Sequence, residues 1–225
     1  MASFNIFRWK INVLPDGIKN WYLNLINPVV QFFVRLKLNP NFFTTIGFIV
    51  TIGAAVLFAL GHLAVAGWII LLAGTFDIID GKVARATKRV TKFGALYDST
   101  LDRYSEVIMF FGMAFYFVKL DMFITSIAVS FALGGSVMVS YVRARAEALG
   151  LQCKVGIMQR PERVVYIGFG AILSIFHIGT LIFAILLIAV FANITAAQRV
   201  YHIWVAESGK KDQKLSQAEV DRMAD

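Results

Sequence analysis

A single cysteine, Cys153, in 225 residues leaves no internal disulfide, and the redox compartment stays undetermined. Prolines are scarce too. Pro15, Pro28, Pro40 and Pro161 all fall outside the long apolar runs, where a missing backbone donor does least harm. Only 16% of residues are charged, against about 25% in an average soluble domain. This shortage argues against a soluble single domain, and a 58% apolar share excludes disorder over the whole chain. The short alternating segments of a transmembrane β-barrel are missing. The first ten residues, MASFNIFRWK, lack the pattern of a removable signal peptide, so none is expected.

What is present is long apolar helix-forming sequence. Mean hydropathy is +0.69, and runs such as Leu181 to Phe191 are unbroken. The pattern predicts an all-α polytopic membrane protein with six transmembrane helices, at about 41–61, 63–87, 93–118, 121–148, 162–177 and 179–204. An amphipathic N-terminal region, 1–39, is expected to lie in the membrane interface. Asp16 reads as the cap of its first helical piece, which carries Ile18, Trp21, Tyr22, Leu25 and Ile26 on one side; Pro28 reads as the first turn of a second. Trp9, Trp21 and Trp204 fall near predicted interfaces. Residues 40–204 form the six-helix domain, and 205–225 read as a mobile polar tail.

The basic residues test this layout. Arg8, Lys10, Lys19, Arg35 and Lys37 precede the first span. Lys82, Arg85, Lys88, Arg89 and Lys92 cluster between spans two and three. Arg143, Arg145, Lys154, Arg160 and Arg163 cluster between four and five, and Arg199, Lys210, Lys211, Lys214 and Arg222 follow at the end. Of all the lysines and arginines only Lys119 falls toward the opposite face, so the basic face is expected in the cytoplasm together with both termini. The net charge of +8 then points to anionic lipid headgroups or phosphorylated substrates rather than nucleic acid.

Four acids stand where a membrane tolerates them least. Asp77 and Asp80 are spaced i,i+3, and Asp98 and Asp102 i,i+4, so each pair shares a helix face. Each costs at least a few kcal/mol inside the bilayer unless compensated. Gly81, Ala84 and Gly94 flank them and leave room for a ligand. Their depth is roughly 8–15 Å inside the cytoplasmic helix ends, at ~1.5 Å rise per residue. Divalent cations would relieve the mutual repulsion, and an all-oxygen set favours Mg²⁺, Mn²⁺ or Ca²⁺ over zinc. His62, His177, His202 and Cys153 lie far away in sequence. The competing reading satisfies the acids with Arg85, Arg103 or Lys82 as ion pairs between helices.

The string from Asp77 to Asp102 resembles the signature of the CDP-alcohol phosphatidyltransferase family, D-x2-D-G-x2-A-R-x8-G-x3-D-x3-D, and every fixed position matches. The resemblance implies metal-dependent transfer of a phosphatidyl group from CDP-diacylglycerol, or a related CDP-lipid, to an alcohol, with release of CMP. It implies two ions, Mg²⁺ or Mn²⁺, held by Asp77, Asp80, Asp98 and Asp102, with Asp102 also the general base. Gly81 and Arg85 would contact the nucleotide end of the donor, with Ala84 and Thr91 beside them. The stretch Asn39 to Thr44, including Asn41, resembles the family segment that helps seat the nucleotide; equally, it reads as a helix start with Asn and Thr caps. The family likeness also implies a homodimer and, for its prokaryotic members, a plasma-membrane or inner-membrane location with the active site facing the cytoplasm.

Two features bear on the acceptor. Asp98-Ser-Thr-Leu-Asp102-Arg103 resembles the form found in enzymes that use inositol or inositol phosphate, whereas phosphatidylglycerophosphate synthases more often read Asp-Pro-x-x-Asp-Lys. The strings Ser140 to Glu147 and Gln159 to Arg163 resemble prokaryotic phosphatidylinositol-phosphate synthases and their archaeal ether-lipid counterparts. That likeness implies an acceptor-phosphate site at Arg143, Arg163 and Arg199, although Arg143 stands where many relatives have Lys. A planar guanidinium fork suits a phosphomonoester, but the same arginines also read as ordinary cytoplasmic-face charges. Inositol phosphate is the expected acceptor. The alternatives are glycerophosphate or serine transfer, and, outside enzymes, a divalent-cation transporter built round the four acids. The lipid tails, ester or ether, are left open.

Overall fold

A computed structural model describes residues 16–35, 39–87, 89–153 and 155–224. Arg8, Trp9, Lys10, Pro15, Lys37, Lys88 and Lys154, and with them most of the expected interfacial region before Asp16, lie outside the described residues. The described residues form seven helices: α1 (Asp16–Arg35), α2 (Pro40–Leu60), α3 (Leu63–Ala86), α4 (Lys92–Lys119), α5 (Phe123–Ala148), α6 (Arg160–Leu173) and α7 (Gly179–Ala224).

Local chemistry sets the helix ends. The Asn39 side chain accepts from the Asn41 backbone N–H at 3.1 Å, and Pro40 occupies the first turn, where its missing donor costs nothing. Gly61 ends α2 with φ +88°, a left-handed conformation suited to glycine. Thr91 caps α4 through the Gly94 N–H at 2.9 Å. Very short connections at Gly61–His62 and Leu120–Met122 reverse the chain, so α2/α3 and α4/α5 run antiparallel.

α2 packs on both α3 and α4, α3 on α6, α4 on α5, and α7 on α5 and α6. Phe58, Ile70, Met113, Phe117, Ile167 and Ile185 are buried in the core these helices share. A smaller cluster docks Ile26 and Val30 of α1 onto Phe43, Ile79 and Val83, next to the acid-bearing part of α3. Outward faces remain apolar, with Trp68, Phe111, Ile124 and Phe183 exposed as they would be to lipid tails.

α2, α3, α5 and the Gly179–Ser208 part of α7 are each long and apolar enough to cross a membrane. The expected third and fifth spans differ from these. α4 carries Asp98, Asp102 and Arg103 in its first half and Glu106 just past its midpoint. α6 ends at Leu173 rather than at 177, and its 14 residues rise only about 21 Å against about 30 Å of hydrocarbon.

Two further expectations are corrected. The N-terminal region does not break at Pro28: one helix runs through it, because the packing of Ile26 and Val30 on α3 holds both sides of the proline in line. The polar tail continues α7 as helix to Ala224, since its Ala, Glu, Lys, Gln and Leu residues are strong helix formers and Gly209 is a lone interruption.

Gly112 decides how closely α2 and α4 approach. A Cβ there would strike the Ala55 carbonyl oxygen, with the Ala55 carbonyl carbon only 2.9 Å away. Backbone cannot yield as a side-chain tip can. Gly112→Val is therefore expected to destabilise the fold by about 1–3 kcal/mol or more, seen as a lowered thermal midpoint of the detergent-purified protein. An unchanged midpoint would contradict the close approach.

Candidate active site

α3 and α4 bring the four acids together across the α2 N-terminus. On α3, Asp77 and Asp80 face α2. Thr44 of α2 is buried and its hydroxyl donates to Asp80 Oδ2 at 2.7 Å, which holds that carboxylate in place. A Cβ on Gly47 would sit 3.5 Å from Asp77 Oδ1, so a glycine here lets α2 pass close to the acid. α2 and α4 are joined by a 2.9 Å hydrogen bond between Thr45 Oγ1 and the Tyr97 hydroxyl, one residue before Asp98. Asp98 lies near enough to repel the charges of Asp77, Asp80 and Asp102 alike.

A cavity of about 290 Å³ opens between these helices. All six residues predicted for the donor line it: Asn41, Thr44, Gly81, Ala84, Arg85 and Thr91. Asp80, Asp98, Gly94 and Arg89 are also in its wall. The Arg85 guanidinium reaches back over Gly81, where an added Cβ would meet its nitrogens at 3.5 and 3.6 Å. Gly94 lies between Thr91 and Asn41, which an added Cβ would approach to 3.0 and 3.3 Å. The glycines thus keep floor space free between a cation, two hydroxyl or amide side chains and two carboxylates.

The other two acids have a partner that the sequence did not indicate. Arg160, at the start of α6, places Nη1 2.8 Å from Asp77 Oδ2 and 2.6 Å from Asp102 Oδ2. None of the three expected partners makes this bridge. Arg103 instead turns its guanidinium to the Ser99 backbone carbonyl. One turn beyond Asp102 stands a fifth acid, Glu106, buried and paired with Arg163. Its i,i+4 spacing from Asp102 was the available signal for it; Arg160 had only its place among basic residues and in the Gln159 to Arg163 string, neither of which pointed to the acids.

The predicted acceptor-phosphate arginines are neighbours but each is engaged. Arg163 is 1% exposed and donates Nε and Nη2 to Glu106 Oε1 at 2.9 and 2.6 Å, and Nη1 to the Met158 carbonyl at 3.3 Å. Arg199 is buried and donates to the Val155 and Val139 carbonyls at 2.9 and 2.5 Å. Arg143 is exposed and pairs with Glu147 at 2.9 Å. Both Arg143 and Arg163 lie close enough to Arg199 to repel its charge. Burial obliges Arg163 and Arg199 to find protein partners, and Arg143 alone of the three is exposed.

The donor chemistry fits a divalent cation. Four hard carboxylates lie within electrostatic reach of one another, and a guanidinium stands between two of them, a place that favours positive charge. Among the described residues, no three acids are turned toward one point as they stand, because Arg160 and Thr44 hold three of the four. Cys153 offers no soft alternative: it is fully buried, and loss of solvation pushes its thiol above the usual range.

The chain is similar to known proteins in sequence and in fold. The description "CDP-alcohol phosphatidyltransferase" matches residues 37–206. The chain is 36% identical over 197 residues to the archaetidylinositol phosphate synthase of Methanothermobacter thermautotrophicus, covering 85% of this chain and 98% of that one. It is 32% identical over 218 residues to the phosphatidylinositol phosphate synthase of Mycobacterium tuberculosis, covering 94% and 95%. The crystal structure of the mycobacterial enzyme with CDP-DAG bound superposes with a TM-score of 0.74 at 32% identity, over 80% of this chain and 94% of that one. Its complex with manganese and citrate gives 0.72 at 33%, over 79% and 88%.

Proposed function

The chain belongs to the CDP-alcohol phosphatidyltransferase family, and from that premise we propose that it transfers a phosphatidyl group from CDP-diacylglycerol, or its ether-lipid equivalent, to inositol phosphate and releases CMP. It is a membrane-embedded transferase of a family that works with divalent metal. The observation that supports this reading is the cavity, which gathers the motif residues at the adjoining ends of α2, α3 and α4 into one wall.

In this reading Asp77, Asp80, Asp98 and Asp102 hold Mg²⁺ or Mn²⁺. The bound metal neutralises the pyrophosphate of the donor and makes CMP a better leaving group. The chain's own groups do the rest. Arg85 and the floor at Gly81 and Ala84 receive the nucleotide end, flanked by Asn41 and Thr91. Thr44 fixes the rotamer of Asp80. Asp102 accepts the proton of the attacking hydroxyl, and the new phosphodiester bond forms as the bond to CMP breaks. Arg143, Arg163 and Arg199 lie on the acceptor side, and Arg143, exposed and tied only to Glu147, is the most readily recruited to a phosphate.

Six crossing helices with α1 along the interface, both termini and the cavity on the cytoplasmic side, and a homodimeric assembly complete the proposal. The excess of basic residues at the cavity end of the helices supports that orientation.

An acceptor panel tests the function. Purified protein with Mn²⁺ or Mg²⁺ and a CDP-linked diacyl or dialkyl lipid is expected to release CMP when given inositol phosphate. CMP release with glycerol 3-phosphate or serine, and none with inositol phosphate, would overturn the assignment. Cation flux in proteoliposomes without CMP release would favour a transporter.

A further inference from the structure

Two arginines at the start of α6 sit in contrasting ways. Arg163 uses all three of its guanidinium nitrogens, on Glu106 and the Met158 carbonyl, and is sealed from solvent. Such an arginine is a fixed strut between α4 and α6. Arg160 touches two carboxylates from two different helices through Nη1 alone, and its buried Nε has no hydrogen-bond partner. Its side chain keeps 25% exposure. The contact is that of a point cation between two anions, and it forgoes the parallel two-bond fork by which arginine binds a carboxylate most tightly. A cavity of about 20 Å³ adjoins it, lined by Asp77, Ser105, Glu106 and Arg160, which leaves room for little more than one water.

We propose that Arg160 is a displaceable counter-cation: it neutralises Asp77 and Asp102 while the divalent metal is away, and it must release both carboxylates before they can ligate that metal. This rests on the metal-site reading given above. Asp77 and Asp102 belong to different helices, so without a cation between them their repulsion would push α3 and α4 apart. Arg160 keeps the pair together, and the metal has to break its two ion pairs on entry. Any interaction present only in the metal-free state lowers the apparent metal affinity by its own free energy. Arg160 is therefore a positioning residue that sets the metal concentration at which the enzyme loads.

The test is Mn²⁺ binding to the full-length protein in detergent, with no lipid or acceptor present, followed by calorimetry or by the spin-resonance signal of free Mn²⁺. R160Q is expected to bind Mn²⁺ at least about tenfold more tightly than wild type, about 1.4 kcal/mol. Its metal-free thermal midpoint should fall, and Mn²⁺ should raise it by more than in wild type. R160K keeps the charge with a more strongly hydrated head that has no fork, and is expected to bind with intermediate affinity; it also serves if R160Q does not accumulate. Equal or weaker Mn²⁺ binding by the variants would overturn the proposal while leaving the metal reading intact. Absence of Mn²⁺ binding by wild type and variants alike would overturn both.

Discussion

Asp102→Asn is expected to reduce CMP release by at least about 10³-fold, with the protein still folded and still inserted. The substitution keeps the shape of the side chain and removes its charge. Asp102 has two assignments, proton acceptor for the attacking hydroxyl and carboxylate toward the metal. Loss of general-base catalysis alone costs about 10²–10⁴-fold, and the loss of a negative ligand adds to it. Asp102 is also one of the two acids bridged by Arg160 at 2.6 Å. In the asparagine variant that guanidinium retains Asp77 at 2.8 Å as its partner, so the helix packing has reason to survive. The measurement is initial-rate CMP release at saturating donor, acceptor and Mn²⁺, beside a thermal midpoint. Near-normal turnover would remove Asp102 from the chemistry.

The largest effect on stability is expected at Glu106. Glu106→Ala leaves the Arg163 guanidinium buried with only the Met158 carbonyl to bond, and breaking a buried pair from one side costs about 3–5 kcal/mol. The thermal midpoint in detergent should fall by many degrees, or folded protein should fail to accumulate. Glu106→Met together with Arg163→Met should recover much of the loss, because two apolar side chains of similar volume leave no stranded charge. A double variant no more stable than Glu106→Ala would show that the pair contributes something other than mutual neutralisation.

The contrast between these acids shows what the sequence could reveal. Asp77, Asp80, Asp98 and Asp102 were legible because their spacing is local: turns of α3 and α4 place them, and small residues at 81, 84 and 94 mark the space beside them. The cavity wall was legible for the same reason, with Asn41 and Thr44 added by the capped start of α2. Arg160 was not. Its meeting with Asp77 depends on α3 packing against α6, a pairing between residues 83 positions apart that no periodicity encodes. For Arg163 and Arg199 the sequence gives the type of the group and not its burial or its protein partners. At the ends, Pro28 and the polar tail misled for another reason: tertiary packing and summed helix propensity outweighed single-residue signals.

The contact between Gly112 and Ala55 has a consequence at the far end of the same two helices. Thr44 lies 11 residues before Ala55 on α2, and Asp102 lies 10 residues before Gly112 on α4, so both arms are about 15 Å long at 1.5 Å per residue. With backbone against backbone, the crossing acts as a fulcrum rather than a cushion. Over such arms a tilt of about 4° displaces the acid-bearing end by about 1 Å, a misplacement that would cost about 10²-fold in rate for the proposed transfer. The tolerance of the proposed chemistry is therefore set in the buried crossing of α2 and α4, where one missing methyl group makes the pivot.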